Sequence, residues 1–224
     1  MSTTSSSTDP NDWRGFVGDW ASDKEAFRSV PWGKAMMWIF LLSDTFIFGS
    51  FLTGYMTVRT STTVAWPNPS EVFALTVGGT SVPLLLIAIM TFVLISSSGT
   101  MAMAVNCGYR RDRRNAALLM VVTAACGATF VGMQAFEWSK LIADGVRPWG
   151  NPWGAAQFGS AFFMITGFHG LHVSIGVLYL LIVAFKVNRG DYESRGYQIV
   201  EITGLYWHFV DLVWVFIFAF FYLW

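Results

Sequence analysis

Five stretches of this chain, residues 34–58, 81–106, 115–136, 158–186 and 200–224, are apolar for more than twenty residues each. At 1.5 Å per residue, each crosses a hydrocarbon layer of about 30 Å. Inside such a layer the backbone finds no water, so each stretch must satisfy its own hydrogen bonds as a helix. The expected fold is therefore an all-α integral membrane protein, a bundle of five transmembrane helices over 34–224 behind a polar N-terminal tail, 1–33. Composition agrees: 12% of the 224 residues are charged, about half the usual share in a soluble domain. With fourteen basic and fourteen acidic residues, the chain offers no net positive charge to a nucleic acid.

The connections set the expected orientation. Arg14, Lys24, Arg28 and Lys34 precede or open the first span, Arg110, Arg111, Arg113 and Arg114 fill the second connection, and Lys186, Arg189 and Arg195 fall at the fourth. The other side holds only Arg59, Lys140 and Arg147. The positive-inside rule then predicts a cytoplasmic N-terminus and a periplasmic C-terminus in a bacterial inner membrane. The first residues lack a basic segment followed by a short apolar one, so the first span is expected to serve as its own insertion signal. Trp13, Phe16, Trp20 and Phe27 in the tail suit a headgroup region. Cys107 and Cys126 read as small apolar fillers rather than a disulfide. Three small-residue trios at every fourth position, Ser96/Thr100/Ala104, Ala124/Ala128/Gly132 and Thr166/Gly170/Ser174, predict close helix contacts.

The chemistry-bearing residues are polar groups inside the spans. His169, His172 and His208 all fall there, as do Asp44 and Asp211. Such groups are costly in lipid and face a bundle interior, a partner or a water path. In the fifth span Glu201, Gly204, His208 and Asp211 share an arc of about 80°. That stripe is expected to be buried, with Trp207 and Trp214 on a remainder free to meet lipid. Two histidines three apart can reach one metal, but three histidines are too few for the haems and copper of an oxygen-reducing core. Structural hydrogen bonding is the expected role. Asp44 reads equally as a proton-handling carboxyl or a packing group. Glu137, near the end of the third span, is expected to be solvated at the interface. His172 and Asp211, both about 20 Å deep by helical rise, are expected to pair.

Two segments carry a family resemblance: Gly159–His172 (Gly-Ser-Ala-Phe-Phe-Met-Ile-Thr-Gly-Phe-His-Gly-Leu-His) and Tyr206–Trp214 (Tyr-Trp-His-Phe-Val-Asp-Leu-Val-Trp). Leu42-Ser-Asp44, Asn68-Pro-Ser-Glu71 and Met133-Gln-Ala-Phe-Glu137 agree with them. From about Gly33 onward the chain resembles subunit III of the haem–copper respiratory oxidases, in its five-helix bacterial form. The resemblance implies an accessory subunit without a catalytic centre or cofactor of its own. Haem and copper belong to partner subunits I and II, and subunit I is the main contact. It also implies support of proton uptake and stability, with bound phospholipid. Asp44 stands where many members have a buried glutamate. The familiar long form has two further helices, one wall of a lipid-filled cleft, for which this chain has no room.

The leading reading is thus an accessory subunit of a cytochrome c oxidase, with Tyr206-Trp207 ahead of His208 favouring that branch. The nearest alternative is the same subunit of a quinol oxidase. From other classes, a small proton-coupled transporter would show inverted repeats, and none is evident in five spans. A haem-bearing membrane cytochrome would need the histidines as ligands.

Overall fold

In a computed structural model of the protein, residues 31–77, 80–193 and 196–223 are described. The expected tail, with its four aromatic residues, lies outside them except for its last three positions. Five long helices carry the fold: α1 Trp32–Ser61, α2 Leu85–Tyr109, α3 Arg113–Ala143, α4 Gln157–Arg189 and α5 Gln198–Phe218. A π-helical turn, Ala219–Leu223, prolongs α5. All five are long and apolar enough to cross a membrane.

Local chemistry sets the ends. The turn between α2 and α3 is tight because Arg111 takes a left-handed φ of 58°. Asp112 then caps α3, its carboxylate accepting from the Asn115 backbone N–H at 3.3 Å and from Asn115 Nδ2 at 2.6 Å. Gly190, at φ 86°, closes α4, with Asp191 N–H reaching back to Lys186 O. Helix α3 runs seven residues beyond the expected 136. The first connection differs most from expectation. Asn68 caps a one-turn helix, Pro69–Val72. Strands β1 Ala74–Val77 and β2 Thr80–Pro83 then pair antiparallel, with Ala74 opposite Pro83. Residues 81–83, expected inside the second span, belong to that hairpin.

α5 is the interior helix. Half of its most apolar stretch is buried, against 17% for α1. It packs on α1, α2 and α4, while α3 lies against α2 and α4. Antiparallel register along α2 and α5 is fixed by polar stitches. Trp207 Nε1 donates to Ser97 Oγ at 2.9 Å, Ser98 Oγ meets His208 Nδ1 at 2.6 Å, and Trp214 Nε1 donates to Thr91 Oγ1 at 3.0 Å. Trp207 and Trp214 are fully buried. This corrects the expected lipid-facing aromatic remainder: each indole N–H needs an acceptor that lipid lacks, and α2 supplies it.

Trp207 is admitted by glycines. A Cβ at Gly127 would collide with its ring, and one at Gly176 would stand 3.1 Å from it. These positions, not the predicted Gly132 and Gly170, bring the helices together. Gly132 and Gly170 have nothing within 4 Å of a Cβ. Of the predicted trios, Ala104, Ala124 and Thr166 are buried, while Thr100 bonds Thr123 across α2 and α3 at 2.8 Å.

One end of the bundle gathers the basic connections. There Lys34 on α1 forms an ion pair with Glu201 on α5, and Arg113 pairs with Glu193 at 2.8 Å. The hairpin, the α3–α4 connection and the π-turn lie at the other end.

Candidate functional site

The centre of the bundle joins α1 to α4. Asp44, 4% exposed, stands on the inward line of α1 with Leu41, Phe48 and Tyr55, a spacing of three, four and seven residues that gives one helix face. Its Oδ2 lies 3.1 Å from His172 Nε2, within ion-pair distance though not in linear hydrogen-bond alignment. His172 Nδ1 lies 2.8 Å from the Phe168 carbonyl oxygen, one turn back along α4. A carbonyl only accepts, so Nδ1 carries a proton.

A carboxyl and an imidazole thus lie at ion-pair distance in the interior of the bundle, and each gives the other a polar neighbour where lipid offers none.

Aromatic rings seal the pair. Phe48 meets the His172 ring edge-on at 5.4 Å and Phe168 lies 4.8 Å from it. Tyr206 on α5 donates from its hydroxyl to the His172 carbonyl at 3.0 Å. It thereby fixes the α4 backbone at the site.

The other polar residues do not join this pair. His169, one turn earlier on α4, is wholly buried, stacked on Trp214 at 5.4 Å with Phe130 edge-on at 5.8 Å. Neither ring nitrogen has a partner. His208 bonds Ser98 and lines a groove of about 410 Å³ between α1 and α5, beside Leu41, Thr45 and Phe209. Asp211 turns toward Ser98 on α2, and neither of its oxygens is hydrogen-bonded. The expected His172–Asp211 pair is thus not formed. The two residues share a depth, but His172 faces α1 and Asp211 faces α2. Glu201 is engaged by Lys34 at the basic end.

Glu137 corrects a second expectation. It is 3% exposed, not solvated. Gln134 Nε2 donates to its Oε2 at 3.0 Å, and the Tyr222 hydroxyl donates to the same oxygen at 3.1 Å. The π-turn and the one-turn helix cover it, through Phe221, Tyr222, Val72 and Phe73, all buried. Sequence reasoning passed over Thr91, Ser97, Ser98, Gln134 and Tyr222. The signal for the first three was present as hydroxyls on α2 spaced like the indoles and imidazole of α5.

The chain matches the family described as cytochrome c oxidase subunit III over residues 25–224. A protein of Staphylococcus aureus (strain USA300), named probable quinol oxidase subunit 3, is 32% identical over 189 residues, covering 83% of this chain and 86% of its own length. Its namesake in Staphylococcus epidermidis is 31% identical over 187 residues, with the same coverage. The chain belongs to the subunit III family of haem–copper oxidases. It is a multi-pass membrane subunit of an oxidoreductase complex, with partner subunits implied. Both segments that carried the resemblance in this subunit III converge on the centre: one supplies His169 and His172, the other Tyr206, Trp207 and Trp214. Among the described residues, no three of His, Cys, Asp and Glu are grouped to share a metal ion.

Proposed function

We propose that this chain is the accessory subunit III of a proton-pumping cytochrome c oxidase in a bacterial inner membrane, holding no redox centre itself. It packs against subunit I, contacts subunit II and phospholipid, and sustains proton uptake and stability of the complex. Its N-terminus is cytoplasmic and its C-terminus periplasmic, and residues 1–33 form a tail distinct from the 34–224 bundle. The observation that carries this reading is the family match over residues 25–224, and the dispersal of the three histidines supports the lack of a redox centre. His172 is held by Asp44 and Phe168, His208 by Ser98, and His169 is sealed between aromatic rings. Ligands to one haem or metal must converge, and these diverge onto α1, α2 and an aromatic box. Asp44 is the residue assigned to proton handling, because it is a buried intramembrane carboxyl 3.1 Å from an imidazole nitrogen. Glu137, His169, His172, Glu201, His208 and Asp211 are structural.

The experiment is purification of the complex through a tag on this chain, with mass spectrometry of the co-purifying proteins and a reduced-minus-oxidised spectrum of the chain alone. Oxidase subunits I and II are expected to co-purify, and the isolated chain is expected to be spectrally silent. Stoichiometric haem or copper in the isolated chain overturns the reading. A second reading, subunit III of a quinol oxidase, is favoured by the names of the staphylococcal relatives. Subunit II chooses the electron donor, and a copper-centre signal in the complex distinguishes the branches. Its absence, with quinol-supported oxygen consumption, selects quinol.

A further inference from the structure

At the hairpin end of the bundle, a cavity of about 10 Å³ lies among Val72, Phe73, Leu86, Glu137, Lys140 and Leu141. That is room for about one water molecule and for nothing larger. Four of the six lining residues are apolar, and the two that are not carry opposite charge.

Both line it with hydrogen-bonding capacity to spare. Glu137 Oε2 receives two hydrogen bonds, from Gln134 and Tyr222, whereas Oε1 is buried and receives none. A sealed carboxyl oxygen with no donor is among the more costly features a folded protein can keep. Lys140, one turn along α3, donates one ammonium hydrogen to the Ala74 carbonyl at the start of β1. Two hydrogens remain. Lys140 Nζ does not reach Oε1, since that oxygen lacks any direct partner.

We propose that this cavity binds one water molecule, which accepts from Lys140 Nζ and donates to Glu137 Oε1. A dry cavity of this size is expected only where its walls are apolar throughout, and here a carboxyl and an ammonium share the wall. The water bridges the carboxyl and the ammonium. It also links three parts of the chain distant in sequence: β1 through the Lys140–Ala74 bond, α3 through Glu137 itself, and the π-turn through Tyr222. Water suits the site in size and in donor–acceptor balance, whereas a cation would face the Lys140 ammonium and an anion the Glu137 carboxyl.

Whatever the identity of the complex, the test needs only the full chain in the assembly it is purified with. One measurement is a structure of that assembly at a resolution that shows ordered water. A density peak within hydrogen-bond reach of both Glu137 Oε1 and Lys140 Nζ is expected. A direct Glu137–Lys140 contact, or clear empty density, overturns the proposal. The other is a thermal double-mutant cycle with Glu137→Gln and Lys140→Met, read as the midpoint for loss of this subunit from the assembly. Bridged groups predict that the double variant loses less than the sum of the two single variants. Additive losses overturn the bridge, and they do so even if each variant is itself destabilised.

Discussion

Asp44 and Glu137 are both buried carboxyls in spanning helices, and the bundle neutralises them by opposite means. Asp44 meets an imidazole, His172, at ion-pair distance. Glu137 accepts hydrogen bonds from an amide and a phenol, Gln134 and Tyr222. Asp44 also stands on α1, the most exposed helix, so its pair ties a peripheral helix to the interior. Glu137 stands on α3 beneath the π-turn and holds a chain end in place.

The largest effect expected from this contrast comes from removing the titratable partner. His172→Leu leaves Asp44 in an aromatic box with no acceptor or counter-charge. Breaking one side of a buried pair costs about 3–5 kcal/mol. Retention of this subunit during detergent purification is expected to fall sharply. Tyr222→Phe removes one of two neutral donors from Glu137 and is expected to cost about 1–3 kcal/mol. Thermal release of the subunit from the complex measures both. Equal losses would erase the distinction between the sites.

A smaller effect sharpens the proton argument. Asp44→Asn keeps the size of the side chain and offers Nδ2 as a donor to the Nε2 of a neutral His172. Asp44→Asn is therefore expected to retain the subunit nearly as well as wild type, and better than Asp44→Ala. The order reverses if His172 is an obligate imidazolium, because an amide N–H would then face an N–H. The same thermal release assay, run on the two variants side by side, decides it.

What helical periodicity encodes explains how much of this is legible in the sequence. Number, length and apolarity of the spans depend on composition along the chain, and all five are readable there. So are the buried positions of Asp44, His169 and Asp211. Which way a helix turns about its axis depends on its neighbours, and no single span states them. Placing His172 and Asp211 at one depth is sound, but depth does not fix direction, and Asp44 takes the place expected of Asp211. Read alone, α5 directs Trp207 and Trp214 toward lipid. Thr91 and Ser97 on α2, together with Gly127 on α3, reverse that. Ending α3 at 136 puts Glu137 in the interface. The added turns, together with a hairpin hidden in a Pro- and Gly-containing connection, put it under cover.

The smallest expected effect concerns turnover itself. Asp44→Ala removes the carboxyl and leaves His172 with Phe168 as its partner through Nδ1. Ala needs no partner, and His172 can remain neutral, so no charge is stranded. Helix α1 keeps Leu41, Phe48 and Tyr55 against the interior, and the Lys34–Glu201 ion pair holds its start. The complex is therefore expected to assemble. Oxygen is reduced at a centre that belongs to a partner subunit in the reading proposed here, so initial oxygen consumption is expected to stay at a substantial fraction of wild type. What changes is the buried carboxyl proposed to handle protons. Its loss is expected to be milder than deletion of the whole subunit, which is expected to slow turnover at alkaline pH and to shorten the working lifetime of the enzyme. Oxygen uptake over many turnovers, for wild type, Asp44→Ala and the complex without this subunit, separates the cases. An Asp44→Ala complex that assembles normally but is inactive from its first turnover would make Asp44 a catalytic residue and break the contrast with Glu137 from the other side.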